Sequence, residues 1–149
     1  MKVSTMGMID ISRKDAVKRR ATAEGVIELD ESTIKKIKEK EVKKGDPLQV
    51  AEISAIQAVK KTPDNIPHCH PIPIEGVSVD IKVMKDRIVV SCEVKAIYKT
   101  GVEMEAISGV NAALLTIWDM VKYLEKDEEG QYPDTKISGI KVVEKVKGD

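Results

Sequence analysis

Val77-Ser78-Val79-Asp80-Ile81-Lys82-Val83 places an apolar side chain at every second position, with Ser78, Asp80 and Lys82 between. A period of two belongs to a strand with one buried face. Asp86 follows as a turn residue, and Ile88 to Tyr98 is dense in Val and Ile, so the short separation predicts an antiparallel hairpin. From Gly101 the period changes. Ile107, Val110, Leu114, Ile117, Val121 and Leu124 recur at steps of three and four, which predicts a long amphipathic helix ending near Gly130. Alternation resumes from Ile137 to Val146 as a last strand.

On the N-terminal side of the hairpin, Glu24 to Leu29 contains a short β-favouring stretch, followed by Glu31-Ser32-Thr33 and helical spacing of Ile34 and Ile37. Lys43-Lys44-Gly45-Asp46-Pro47 is a breaker. Asp46 suits an N-cap and Pro47 the first position of a helix running to about Lys61. Residues 1–22 mix Met, Gly, Ser and a basic cluster without a clear period, and read as a mobile N-terminal arm unless a ligand or partner subunit orders it. Residues 23–149 read as a single domain. The order strand, helical segment, two strands, helix, strand predicts an α+β, ferredoxin-like split βαβ fold, an antiparallel sheet with helices packed on one face. The opposite face is open in such a domain, and self-association often covers it, so a homo-oligomer is expected.

Composition narrows the function classes. The chain has 149 residues with no Phe and only 3% aromatics, so its core must be built from Val, Ile, Leu, Met and Ala. Its 25 basic and 25 acidic residues cancel, which argues against nucleic acid or an anionic membrane as a partner. No apolar run approaches the length of a membrane span, and the start of the chain lacks the apolar core of a signal peptide. Two cysteines, Cys69 and Cys92, are too few for a disulfide framework. A cytoplasmic protein with free thiols is expected.

The most chemically loaded segment is Ile66-Pro67-His68-Cys69-His70-Pro71-Ile72-Pro73, which holds both histidines between prolines. Prolines stiffen the backbone toward extended conformations, so His68 and His70 are expected on one side and Cys69 on the other. The chain offers no C-x-x-C pair to complete a zinc site, so a phosphate or purine-type ligand held by His70, with His68 and Cys69 lining the pocket, is the better reading. Asp119 lies within an apolar helical stretch, where a carboxylate is costly unless paired, and Lys122 is three residues on. A general acid/base beside a cation and a structural helix ion pair both fit. Glu103 and Glu105 open the same helix, where the dipole alone favours carboxylates. Glu105 and Asp119 are roughly 21 Å apart along a continuous helix, so they share one small-molecule site only if a second subunit contributes one of them. Lys43 and Lys44 ahead of a helix N-terminus form a local anion site or a solvated turn. Lys18-Arg19-Arg20 is a second candidate phosphate clamp, and Lys145 and Lys147 fall on one face of the last strand.

Taken together, Met8-Ile9-Asp10-Ile11-Ser12, Lys44-Gly45-Asp46, Ala55-Ile56-Gln57-Ala58, Ile66 to Pro73, Lys99-Thr100-Gly101-Val102-Glu103-Met104-Glu105-Ala106 and Leu115-Thr116-Ile117-Trp118-Asp119-Met120-Val121-Lys122 closely resemble the MoaC family of molybdenum cofactor biosynthesis, the cyclic pyranopterin monophosphate synthases. The resemblance spans almost the whole chain. It implies a ferredoxin-like subunit in a hexamer built as a trimer of dimers, with active sites at dimer interfaces. It also implies a lyase, with no cofactor in the chemistry, that turns a cyclised dihydro-GTP into cyclic pyranopterin monophosphate and pyrophosphate.

By motif position, the resemblance implies that Asp119 is the active-site aspartate and Lys122 its partner, with Lys44 and His70 also catalytic. It assigns His68, Cys69, His70, Glu103, Met104, Glu105, Arg19 and Lys145 to substrate binding. The end of the chain departs from the family's usual Lys-Ser-Gly-Gly-Lys-Ser-Gly run. Two other readings remain at this stage: a non-enzymatic ferredoxin-like module that senses a nucleotide, and a metal-dependent hydrolase using His68 and His70.

Overall fold

A computed structural model of the chain describes residues 7–148. Residues 1–6 of the expected arm, and Asp149, lie outside the described residues. The elements are β1 (Val17–Glu28), α1 (Glu31–Lys38), α2 (Pro47–Lys60), α3 (Thr62–Asn65), β2 (Ile74–Val83), β3 (Arg87–Tyr98), α4 (Glu103–Glu125) and β4 (Lys136–Lys147). The strands form one sheet in the order β2-β3-β1-β4, antiparallel at each junction. This is the ferredoxin-like α+β arrangement read from the element order.

Side chains on alternate residues of the two central strands build the core. Ala21, Ala23 and Ile27 of β1 face the same way as Val94, Cys92 and Ile88 of β3, their register partners, and all six are buried. Helix α4 covers this row with Val110, Ala113, Leu114, Ile117 and Val121, while α2 adds Ala51, Ala55 and Val59. Asp46 caps α2 as expected, its Oδ1 accepting from the Leu48 N–H at 2.9 Å. Gly25 lets α4 approach β1 closely. A Cβ there would sit 2.8 Å from Leu114 Cδ1 and 2.9 Å from both Val110 Cγ1 and Ile140 Cγ1.

Two boundaries differ from the sequence reading. β1 begins at Val17 rather than Glu24, so residues 17–22, expected within the arm, form half of a central strand. Its inward row of Arg19, Ala21 and Ala23 is small or charged, which hides the alternation that Val or Ile would have shown. α4 stops at Glu125 instead of near Gly130. There the Asp127 carboxylate accepts from the backbone N–H of Glu129 at 2.9 Å and Gln131 at 2.8 Å, offering the chain a turn in place of another helical one.

The sheet face turned away from the helices is polar. Arg20 bridges Glu93 at 3.4 Å and Glu144 at 2.8 Å, while Glu28 meets Arg87 at 3.5 Å and Lys136 at 3.3 Å. Such exposed pairs contribute little to stability, but they make this face costly to dehydrate. At the C-terminal end of α4, the buried Glu125 carboxylate accepts from the hydroxyls of Thr33 and Thr135 and from the Asp30 N–H, so one side chain ties α1, α4 and the approach to β4 together. No helix among the described residues is long and apolar enough to cross a membrane.

Candidate active site

Three segments meet at the N-terminal end of α4: the loop between α3 and β2, the β3–α4 junction, and residues 7–14. They enclose a cavity of about 490 Å³ that His68, Cys69, His70, Glu103, Met104 and Glu105 all line. The loop is not uniformly extended. The Cys69 N–H donates to the Ile66 carbonyl at 3.0 Å, and this turn cancels the expected alternation, so both imidazoles and the thiol reach the same space.

Glu105 is the buried carboxylate of this cavity, 3% exposed. Burial pushes its pKa above the usual carboxylate range; the peptide N–H hydrogen bond works against that, and the neighbouring Glu103 charge adds to it. Burial also raises the Cys69 thiol, helped by the Glu105 charge, so Cys69 is held as a thiol and not as a nucleophilic thiolate. Glu103 Oε2 lies 3.5 Å from Lys145 Nζ, while its Oε1 is buried without a hydrogen-bond partner among the described residues. A buried lone acceptor is costly, and a ligand N–H or O–H would satisfy it. The Glu103 carboxylate folds back over Gly101, where a Cβ would collide with it.

Arg19 is buried and does not line this cavity. Its Nε donates to the Tyr98 carbonyl at 3.4 Å and its Nη2 to the Lys99 carbonyl at 3.3 Å, fixing the β3–α4 junction. Lys145 stands beside Glu103 and therefore reaches the site's edge through an ion pair. Lys14 lines the cavity and was missed, because it lies in the segment read as an arm.

The second constellation lies farther along α4. Lys122 Nζ approaches Asp119 Oδ1 at 2.9 Å, and Lys44 Nζ approaches Asp119 Oδ2 at 3.4 Å and its carbonyl at 3.0 Å. The hydrogen bonds from Lys122 and Lys44 hold the Asp119 carboxyl below its usual range, and Asp119 raises Lys122 in return. The expected partial burial of Asp119 is not met in the single chain, where its side chain is 59% exposed. The apolar run around it divides between the sheet and α2, leaving Asp119 on the remaining side of the helix. Lys43 is occupied otherwise: its N–H donates to Tyr123 Oη at 2.8 Å and its ammonium sits 5.5 Å from that ring. Leu115, Trp118, Tyr132 and Ile137 join Asp119 and Lys122 around a shallow cavity of about 390 Å³.

Within one chain the two constellations occupy different cavities, at separate stretches of α4. The first offers imidazoles, a thiol and a carboxylate lacking a donor; the second offers an ionised carboxylate between two ammonium groups. Among the described residues, no three His, Cys, Asp or Glu side chains converge as a metal cage.

The chain as a whole resembles known proteins. A Thermococcus kodakarensis protein described as "probable cyclic pyranopterin monophosphate synthase" is 56% identical to the chain, over 95% of this chain and 91% of that one. Proteins of the same description from Archaeoglobus fulgidus and Thermoplasma acidophilum are each 59% identical, covering 95% and 94% of this chain and 90% and 98% of theirs. Residues 8–148, from the segment beside His70 to the end of β4, match the model of the MoaC family, and the chain belongs to that family.

Proposed function

We propose that the chain is a cyclic pyranopterin monophosphate synthase, a cytoplasmic lyase that converts 3′,8-cyclo-7,8-dihydroguanosine 5′-triphosphate to cyclic pyranopterin monophosphate and pyrophosphate without a cofactor. The observation that carries this reading is Asp119 held between Lys122 and Lys44, in a chain that matches the MoaC family over residues 8–148. The pairing fixes opposite proton states: Asp119 is the ionised acceptor and Lys122 the protonated donor near neutral pH. As the purine-derived ring opens and recloses, Asp119 takes a proton and Lys122 returns one. A hydroxyl of the same molecule then attacks the α-phosphorus, passing its proton to the neutral Lys122, and the bond from that phosphorus to the oxygen bridging to the β-phosphate breaks, releasing pyrophosphate. Lys44 and Lys145, with Arg19 bracing the junction, stabilise the charge that grows on the departing pyrophosphate.

The site is composite in this reading. The His70 cavity of one subunit faces the Asp119 constellation of another within a hexamer assembled as a trimer of dimers. That arrangement would bury Asp119 and the exposed Leu115 one turn before it. A nucleotide-sensing module is not favoured, since the relatives are described as synthases. The test is turnover. Incubation with the cyclic dihydro-GTP intermediate should yield pyrophosphate and a pterin that fluoresces on oxidation, and Asp119→Asn should abolish both while leaving the oligomer intact. Near-normal turnover by that variant removes Asp119 from its role, and binding without chemistry by the unmodified chain favours the sensor.

A further inference from the structure

His70 Nε2 lies 2.8 Å from the main-chain carbonyl oxygen of Ile9. A carbonyl can only accept, so this contact requires the proton to be on Nε2. Among the described residues Nδ1 makes no hydrogen bond, and the His70 ring lines the cavity of the proposed active site. The segment that presents the carbonyl is itself held. The Asp10 Oδ1 accepts from the Ser12 N–H at 2.9 Å, the Lys14 N–H donates to the Ile11 carbonyl at 3.0 Å, and Ile9, Ile11 and Lys14 line the same cavity. The Ile9 side chain is 79% exposed, so its packing does not explain why the chain runs here.

We propose that the Ile9 carbonyl is a positioning group that locks His70 in the Nε2–H tautomer and aims Nδ1, as an acceptor, at the reacting ligand. In the neutral imidazole only one nitrogen can accept a proton, and the hydrogen bond made by the other decides which. Without the Ile9 carbonyl the two tautomers interconvert freely, and Nδ1 carries the blocking proton for part of the time. The segment from Gly7 to Lys14 is therefore a wall of the site with a chemical task. The catalytic consequence rests on the synthase reading; the tautomer itself does not.

The chain has two histidines, which makes the measurement direct. In the assembled protein labelled with ¹⁵N-histidine, a long-range ¹H–¹⁵N correlation spectrum at alkaline pH resolves both imidazoles, and His70→Asn assigns them. His70 should show the Nε2–H pattern, with His68 averaged. Removing residues 1–10, which leaves β1 whole, should average His70 as well and lower kcat about tenfold to a hundredfold, a part of what general acid–base catalysis supplies. Asp10→Ala, which loosens only the local turn, should do so partially. An Nδ1–H pattern in the full chain, or a His70 pattern unmoved by both changes, overturns the proposal. Absence of turnover in a full chain that keeps the Nε2–H pattern would instead count against the synthase reading alone.

Discussion

Replacing Glu125 with Leu should unfold this protein far more readily than its single substitution suggests. The carboxylate accepts from three donors, the Asp30 N–H and the hydroxyls of Thr33 and Thr135, and both threonines are buried, at 1% and 8% exposure. Each orphaned buried donor costs about 1–3 kcal/mol, while removing a buried carboxylate returns some of its own desolvation, so the net loss is about 3–5 kcal/mol. At roughly 2–4 °C per kcal/mol for a domain of this size, Tm should fall by about 6–20 °C. Glu125→Gln keeps one acceptor oxygen and can donate to a rotated hydroxyl, so about 1–2 kcal/mol is expected. Combining Glu125→Leu with Thr33→Val and Thr135→Val removes two of the stranded donors, and should recover about half of the loss. Thermal and urea unfolding at one fixed protein concentration give these values. A Glu125→Leu midpoint within about 2 °C of the parent, or a triple variant no better than the single one, would refute the accounting.

Two further outcomes follow from the cavity at the other end of α4. Glu105 has its pKa raised above its ordinary 4.5 by burial, so the folded state holds this proton more tightly than the unfolded chain. Its relative stabilisation is complete below 4.5 and is lost as pH rises through the raised value. The stability of Glu105→Gln minus that of the parent should therefore increase with pH across that window in urea titrations, and a flat difference would show that the carboxylate is solvated. Gly101→Ala should swing the Glu103 carboxylate away from its seat and from Lys145, raising KM for the cyclised dihydro-GTP with little change in Tm; an unchanged KM would take Glu103 out of ligand recognition.

Where periodicity was strong, sequence and structure agree closely. The hairpin and the last strand lie within a few residues of their expected limits because Val and Ile recur along them, and the helix after Pro47 does so because Asp46 and Pro47 mark its start. β1 was half hidden because inward alanines and a buried arginine do not stand out from a polar arm. Asp119 with Lys122 was legible from helical spacing, whereas its contact with Lys44 is not, because 75 residues separate the two. The surroundings of Asp119 were misjudged for a related reason: an apolar run shows how much of a helix is buried, not which sector stays open. The imidazole of His70 stood out between its prolines, but its partner is a backbone oxygen, and main-chain atoms carry no residue identity to read.

α4 carries Asp119 along its length and walls the His70 cavity at its N-terminal end, without letting the two meet in the same chain. In the composite arrangement proposed above, every subunit lends an imidazole to one chamber and a carboxylate to another, so damage at either end has a genetic signature. A population mixing chains crippled at His70 with chains crippled at Asp119 would rebuild roughly one quarter of its chambers from undamaged halves, although neither parent has any. Two null alleles would then complement each other inside a single assembly.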